Sequence, residues 1–135
     1  MAIKVCIMTP DRIFWNQEAE EIILPTNTGQ MGVLTNHAPL ITALDIGVMS
    51  IRTKTEWMPV ALMGGFALVK QNQVTILVNE AESVKNVDAT TAEDLYNQAR
   101  EALESATTEK DKVEANSVFK RAKARYQMIK QGGSI

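Results

Sequence analysis

The chain has 135 residues, 45% hydrophobic and 22% charged, with a formal net charge of -2. This is globular composition, enough for one domain or two small ones, and it excludes a disordered chain. The slight acidity excludes a global excess of positive charge that would condense on nucleic acid or an anionic membrane, so a basic patch has to be local.

The opening run, IKVCIM, alternates Val5, Cys6 and Ile7 in the manner of a strand. Cys6 is the only cysteine; it excludes an internal disulfide and fits a reducing compartment. Lys4 comes too early for the apolar core of a signal peptide. No run approaches the roughly 20 apolar residues that cross a bilayer, so the chain is expected to work where it is made. The runs RIFW, EEIILP, GVL, PLITAL, GVMSIRT, EWMPVALMGG, FALVK and VTILVN follow at close spacing. Short β-compatible runs broken by turn residues predict a sandwich or barrel. Arg52 through Glu56 reads as one tight turn and Gln71-Asn72-Gln73 as another. Gly64-Gly65 lacks the glycine-lysine-serine/threonine pattern of a phosphate loop, and a close backbone approach or a bulge is expected there.

All four prolines and five of the seven glycines precede residue 66, and none occurs from Val87 to Gln131. Both residue types are costly inside helices, so a β-rich first part gives way to a helical second part near residues 83 to 88. Thr90-Thr91-Ala92-Glu93 fits a capping box. Ala92, Leu95, Tyr96, Ala99, Ala102, Leu103 and Ala106 then form one narrow apolar stripe. Thr107-Thr108 interrupts it, and Ala115, Val118, Ala122, Tyr126 and Ile129 form a second stripe ending at Gly132-Gly133. The expectation is an antiparallel two-helix hairpin with a thin core. Between Asp88 and Glu109 six acidic residues face one basic residue, Arg100, whereas Ala115 to Ile135 holds five basic residues and no acid. The second helix is thus either a solvated face salt-bridged to the first helix or a movable basic arm seeking an acidic partner.

His37, the only histidine, has no second histidine or cysteine cluster to build a metal site of ordinary composition. Asp45 is a conceivable carboxylate partner, but no nucleophile completes a triad pattern. A loop histidine that bonds locally or meets a partner remains.

Three linked segments carry a resemblance over nearly the whole chain: EEIILPTNTGQMGVLTNHAPLITALDIG, ALMGGFALVKQNQVTILVNEAE, and the alanine-rich hairpin ending in FKRAKARYQ. In their order and spacing the chain resembles the epsilon subunits of F-type ATP synthases, in their cyanobacterial and chloroplast form. The resemblance implies an α+β fold, with an N-terminal antiparallel β-sandwich that binds the rotor (residues 1 to 87) and a C-terminal regulatory antiparallel helical hairpin (88 to 135). It implies a non-catalytic stalk subunit without cofactors that couples gamma to the c-ring, and whose helices restrain ATP hydrolysis at beta, with alpha beside it. The complex would hold the subunit peripherally on the stromal or cytoplasmic side of the thylakoid.

By motif position, Gln30 and Met31 match the loop that faces the c-ring. His37 matches a surface associated with gamma, although a structural hydrogen bond in the HAP turn would place the same residue there. Lys120, Arg121, Lys123 and Arg125 form the expected inhibitory basic face. Some bacterial relatives bind ATP on the hairpin through an apolar-Asp-x-x-Arg-Ala pattern; here Thr91 stands in place of the arginine, and Asp88 is expected to cap the helix instead. Two other classes stay open, a β-sandwich adaptor of an unrelated assembly and a small enzyme built on His37 and Asp45.

Overall fold

A computed structural model describes residues 2–133. Eight strands form one continuous hydrogen-bonded sheet in the order β2-β1-β7-β6-β5-β3-β4, with β8 also on β6. They span Ile3–Met8 (β1), Ile13–Ala19 (β2), Glu21–Thr26 (β3), Gly29–Val33 (β4), Leu40–Arg52 (β5), Trp57–Lys70 (β6), Gln73–Val78 (β7) and Ala81–Ser83 (β8). A 3₁₀ turn at Val84–Asn86 leads to α1 (Ala89–Ser105) and α2 (Glu109–Gly133). Pairing is antiparallel, as expected of the sandwich, except between β1 and β7, which run parallel.

The sheet becomes a sandwich because its two longest strands belong to both layers. The first half of β5 pairs with the second half of β6, next to β7, β1 and β2. Their other halves pair with each other next to β3, β4 and β8. PLITAL and GVMSIRT are therefore one strand, and so are EWMPVALMGG and FALVK. The close approach expected at Gly64-Gly65 occurs at the corner where the paired strands change layer, and the β5–β6 register is kept across it, from Leu44 opposite Gly65 to Ile46 opposite Met63.

Close approach explains the glycines at this corner. A Cβ on Gly65 would lie 2.0 Å from the carbonyl oxygen of Leu77 and 2.8 Å from Cα of Val78. Gly64 sits at φ +80°, a conformation that side chains disfavour. A Cβ on Gly47 would lie 2.9 Å from Cβ of Pro25. Pro25 has no amide to donate, and the β3–β5 register shifts between Ile23 and Thr26, around it. The tight turn between β6 and β7 stands as expected, with Gln71 and Asn72 both at positive φ.

The main core lies between the layers and includes Ile3, Val5, Ile7, Ile22, Leu24, Ile51, Leu62 and Ile76, all at most 1% exposed. Strand β6 is buried continuously from Pro59 to Met63. Val60 and Leu62 face that core, while Ala61 and Met63 face a second cluster beneath α2, with Val48, Ala124 and Met128. The hairpin is therefore docked on the sandwich.

Helix α1 is capped by Asp88, as expected of that residue and two positions before the Thr90 of the capping box: its Oδ2 accepts from the Thr91 amide and hydroxyl, both at 2.9 Å. In α2 the Thr108 hydroxyl accepts from the Asp111 amide at 3.1 Å. The two helices meet through Ala92, Ala99 and Ala122, and through Tyr96 stacked on Tyr126 at 4.7 Å between centroids. Their contact is narrower than the stripes imply, for Leu95 is 44% and Val118 57% exposed.

Candidate functional site

Three surfaces could carry function, and each follows from strand or helix periodicity. The first is the outer face of the β2-β1-β7-β6-β5 layer. Inward residues alternate with outward ones along each strand, and the outward ones here are largely apolar. Registers align Met8, Leu77, Phe66 and Ala43 in one row across four strands. Cys6, Thr75, Leu68 and Ile41 form the next row. Ile41 is 74%, Phe66 59%, Leu77 51% and Leu68 44% exposed. Beside them lies a depression of about 620 Å³, lined by Met8, Pro10, Gly64, Phe66 and Leu77 among others. An apolar expanse of this kind marks an interaction site.

His37 lies in the loop that leads into β5, close to the end of this face. The Asn36 amide in that loop donates to Oδ1 of Asn72, in the β6–β7 turn, at 2.6 Å. The His37 amide donates to the Leu34 carbonyl at 3.2 Å, and its Nδ1 donates to the Ala38 carbonyl at 2.7 Å. No hydrogen bond joins His37 to Asp45 among the described residues, so the geometry brings no catalytic pair together.

The second surface is the β3–β4 turn. Gln30 pairs with Pro25 and is exposed, whereas Met31 pairs with Leu24 and packs against the main core. Of the two residues expected at one contact, only Gln30 presents its side chain outward. It borders a groove completed by Pro25, Tyr126 and Lys130.

The third surface is the basic face of α2, and the structure divides it. Lys120 Nζ donates to Oδ1 of Asp45 at 2.7 Å, and Arg125 Nε donates to both carboxylate oxygens of Glu82 at 3.0 and 2.8 Å. Arg121 and Lys123 are exposed. No ion pair links the two helices among the described residues, which corrects the reading of α2 as salt-bridged to α1. Asp45 also accepts from the Ile46 amide at 2.8 Å. The hydrogen bond from Lys120, helped by that amide and opposed by partial burial, holds its carboxyl below its ordinary range.

A depressed carboxyl contributes docking stability that is present above its free value and is lost as pH falls through the lowered one. The Met128 methyl resonance, from a residue buried beneath α2, should therefore shift in acid at a midpoint below about 4. The Asp45 component of that shift should vanish in Asp45→Asn. A Met128 signal whose pH dependence is identical in parent and variant would show that this carboxylate does not hold the helix.

Sequence reasoning passed over the apolar face, although its signal was present. PLITAL, FALVK and VTILV are apolar at both strand parities, and such strands need a cover on both faces.

The family model described as the ATP synthase delta/epsilon chain β-sandwich domain matches residues 2–84, and that of the long α-helix domain matches residues 85–130. The chain belongs to the ATP synthase delta/epsilon chain family. Its relatives include the chloroplastic epsilon chains of Tupiella akineta, 69% identical over 96% of this chain and 99% of that one, and of Chlorella vulgaris, 69% identical over 98% and 99%. Its fold resembles a chain in the cryo-EM structure of the Euglena gracilis mitochondrial ATP synthase, which contains OSCP, F1 and the c-ring. That match has a TM-score of 0.80 at 21% identity, over 97% of this chain and 81% of the other. Membership gives the three surfaces a common setting, since a delta/epsilon chain works among other subunits. No helix of the described residues is long and apolar enough to cross a membrane.

Proposed function

We propose that the chain is a non-catalytic epsilon-type stalk subunit of a proton-translocating ATP synthase, peripheral to the thylakoid on its stromal or cytoplasmic side. The exposed apolar face of the sandwich carries this reading. Ile41, Phe66, Leu68 and Leu77 lie on the layer opposite the docked hairpin, and they are available to seat the gamma subunit. The loop of His37 is tied by Asn36 to the β6–β7 turn at the end of that seat, and its Leu34 is exposed. Gln30, on the β3–β4 turn, is assigned to the polar loops of the c-ring. The two parts, 1 to 87 and 88 to 135, are assigned to rotor binding and to regulation at beta and alpha. Lys120, Arg121, Lys123 and Arg125 restrain ATP hydrolysis by engaging acidic groups there.

Thiol labelling tests the two rotor contacts together. Cys6, the single native thiol, is half-buried on the outer face beside Thr75. Its alkylation should slow at least about tenfold when gamma binds, as expected where a central contact excludes water. A second thiol placed by Gln30→Cys should stay reactive in the gamma complex and become protected only when the c-ring is added. Unchanged labelling of Cys6 in the gamma complex would remove gamma from this face, and protection of position 30 by gamma alone would reverse the orientation.

A further inference from the structure

The loop of His37 has little hold on the rest of the chain. Residues 34 to 39 run between β4 and β5 without regular structure, and Leu34, Asn36, Ala38 and Pro39 are exposed. Two of the loop's hydrogen bonds are internal, from the His37 amide to the Leu34 carbonyl and from Nδ1 of His37 to the Ala38 carbonyl. Among the described residues a single hydrogen bond ties the loop to another part of the chain, from the Asn36 amide to Oδ1 of Asn72 at 2.6 Å.

The position of Asn72 is fixed independently of that bond. It is the second residue of the two-residue turn between β6 and β7, at φ 61°, and Gln71 before it is at φ 52°. Two consecutive residues at positive φ match the twist of the strands that such a turn connects. The Asn72 carbonyl accepts from the Lys4 amide at 2.9 Å, which holds the turn to β1. The half-buried side chain of Asn72 is thus carried on a backbone secured by a hairpin and by a neighbouring strand. Glycine serves the turn geometry without strain but offers no acceptor, whereas asparagine tolerates positive φ and keeps a carbonyl oxygen for the loop.

We propose that Asn72 is a positioning residue for gamma binding. By holding the Asn36 amide it keeps Leu34 and His37 at the end of the apolar face before gamma arrives, so the loop does not have to be ordered at the moment of binding. Asn72 acts through the loop rather than by touching the partner. The inference rests on the reading of that face and its bordering loop as the gamma seat.

The test compares the full chain with Asn72→Gly, which keeps the turn and removes the acceptor, and with Asn72→Asp, which keeps both. Two quantities are read: hydrogen exchange of the Asn36 amide in the free chain, and the dissociation constant of the gamma complex. In Asn72→Gly exchange should accelerate and gamma should bind more weakly, each by a factor between about 2 and 13, the worth of one hydrogen bond. Asn72→Asp should stay close to the parent in both. In a chain that also carries Leu34→Ala and His37→Ala, the substitution Asn72→Gly should no longer weaken binding, because the loop it positions has lost its contacts. An equal exchange rate in parent and Asn72→Gly would overturn the proposal, and so would faster exchange with unchanged affinity. An undiminished effect of Asn72→Gly in the loop-depleted chain would also overturn it, since the residue would then act through the fold as a whole. Failure of the parent chain to bind gamma would instead sink the reading of the apolar face.

Discussion

Replacing Gly65 by alanine is expected to lower the unfolding free energy of the chain by about 3 kcal/mol, the upper end of the range for overpacking a dense interior. The added methyl has no room, because the nearest atoms are backbone, the Leu77 carbonyl at 2.0 Å and the Val78 Cα at 2.8 Å. Neither can rotate away, so accommodation requires β6 and β7 to separate where Gly65 pairs with Val78. Gly29 provides the comparison. It also has positive φ, at +126°, but nothing lies within 4 Å of its missing Cβ. Gly29→Ala should therefore lose only the conformational part, about 1 kcal/mol. Denaturant unfolding of both variants measures the difference. Equal midpoints would mean that the strand corner does not have the close approach seen here. Because Phe66 and Leu77 flank the same pairing, a Gly65→Ala chain that still folds should also bind gamma less well.

The fold was legible wherever one residue pattern served one purpose. Proline and glycine usage divided strands from helices, and it did so near the residues where β8 ends and α1 begins. IKVCIM reads as a strand because its alternation separates a buried row, Ile3, Val5 and Ile7, from an outward one. Legibility failed where a residue served two purposes. Gly64-Gly65 was legible as a close backbone approach, which Gly65 makes to Leu77 and Val78, but not as the point where one continuous strand, β6, crosses between layers.

The helices show the same limit. Of the stripe from Ala115 to Ile129, Ala122 and Tyr126 lie on the side of α2 that meets α1, whereas Val118 is exposed and Ile129 packs toward the sheet. A second buried strip, Ala124 and Met128, meets the sheet, and the two together blur any single amphipathic face. The charged sites were recognisable as cations but not as pairs. Lys120 and Asp45 are 75 residues apart in sequence, and Arg125 and Glu82 are 43 apart. Only the docked hairpin brings them together. His37 was legible as a loop residue, and its bond to Ala38 follows from the turn that contains it. The apolar rows on the outer face required the strand register before they could be seen as one surface.

The charge on α2 gives the second large effect. Each exposed pair that the helix makes with an acidic partner contributes roughly 0.2 to 1 kcal/mol, so four acting jointly amount to about 1 to 4 kcal/mol, enough to shift an equilibrium of a few kcal/mol between free and restrained rotors. Removing one cation should change little. Removing all four should leave a chain that still binds gamma through its apolar face and no longer restrains hydrolysis. Raising the salt concentration should weaken inhibition by the parent chain, because attraction between surface charges is screened over about 10 Å at 0.1 M.

The most direct measurement is the rate of ATP hydrolysis by a gamma-containing catalytic core lacking epsilon, after addition at low salt of the parent chain, of a chain ending at Val87, or of the variant Lys120→Ala, Arg121→Ala, Lys123→Ala and Arg125→Ala. The parent chain should depress the rate, while the shortened chain and the fourfold variant should bind gamma yet leave hydrolysis close to that of the core alone. Depression by the fourfold variant equal to that by the parent would contradict the assignment of inhibition to the basic face. Failure of the shortened chain to bind gamma would contradict the assignment of rotor binding to the sandwich.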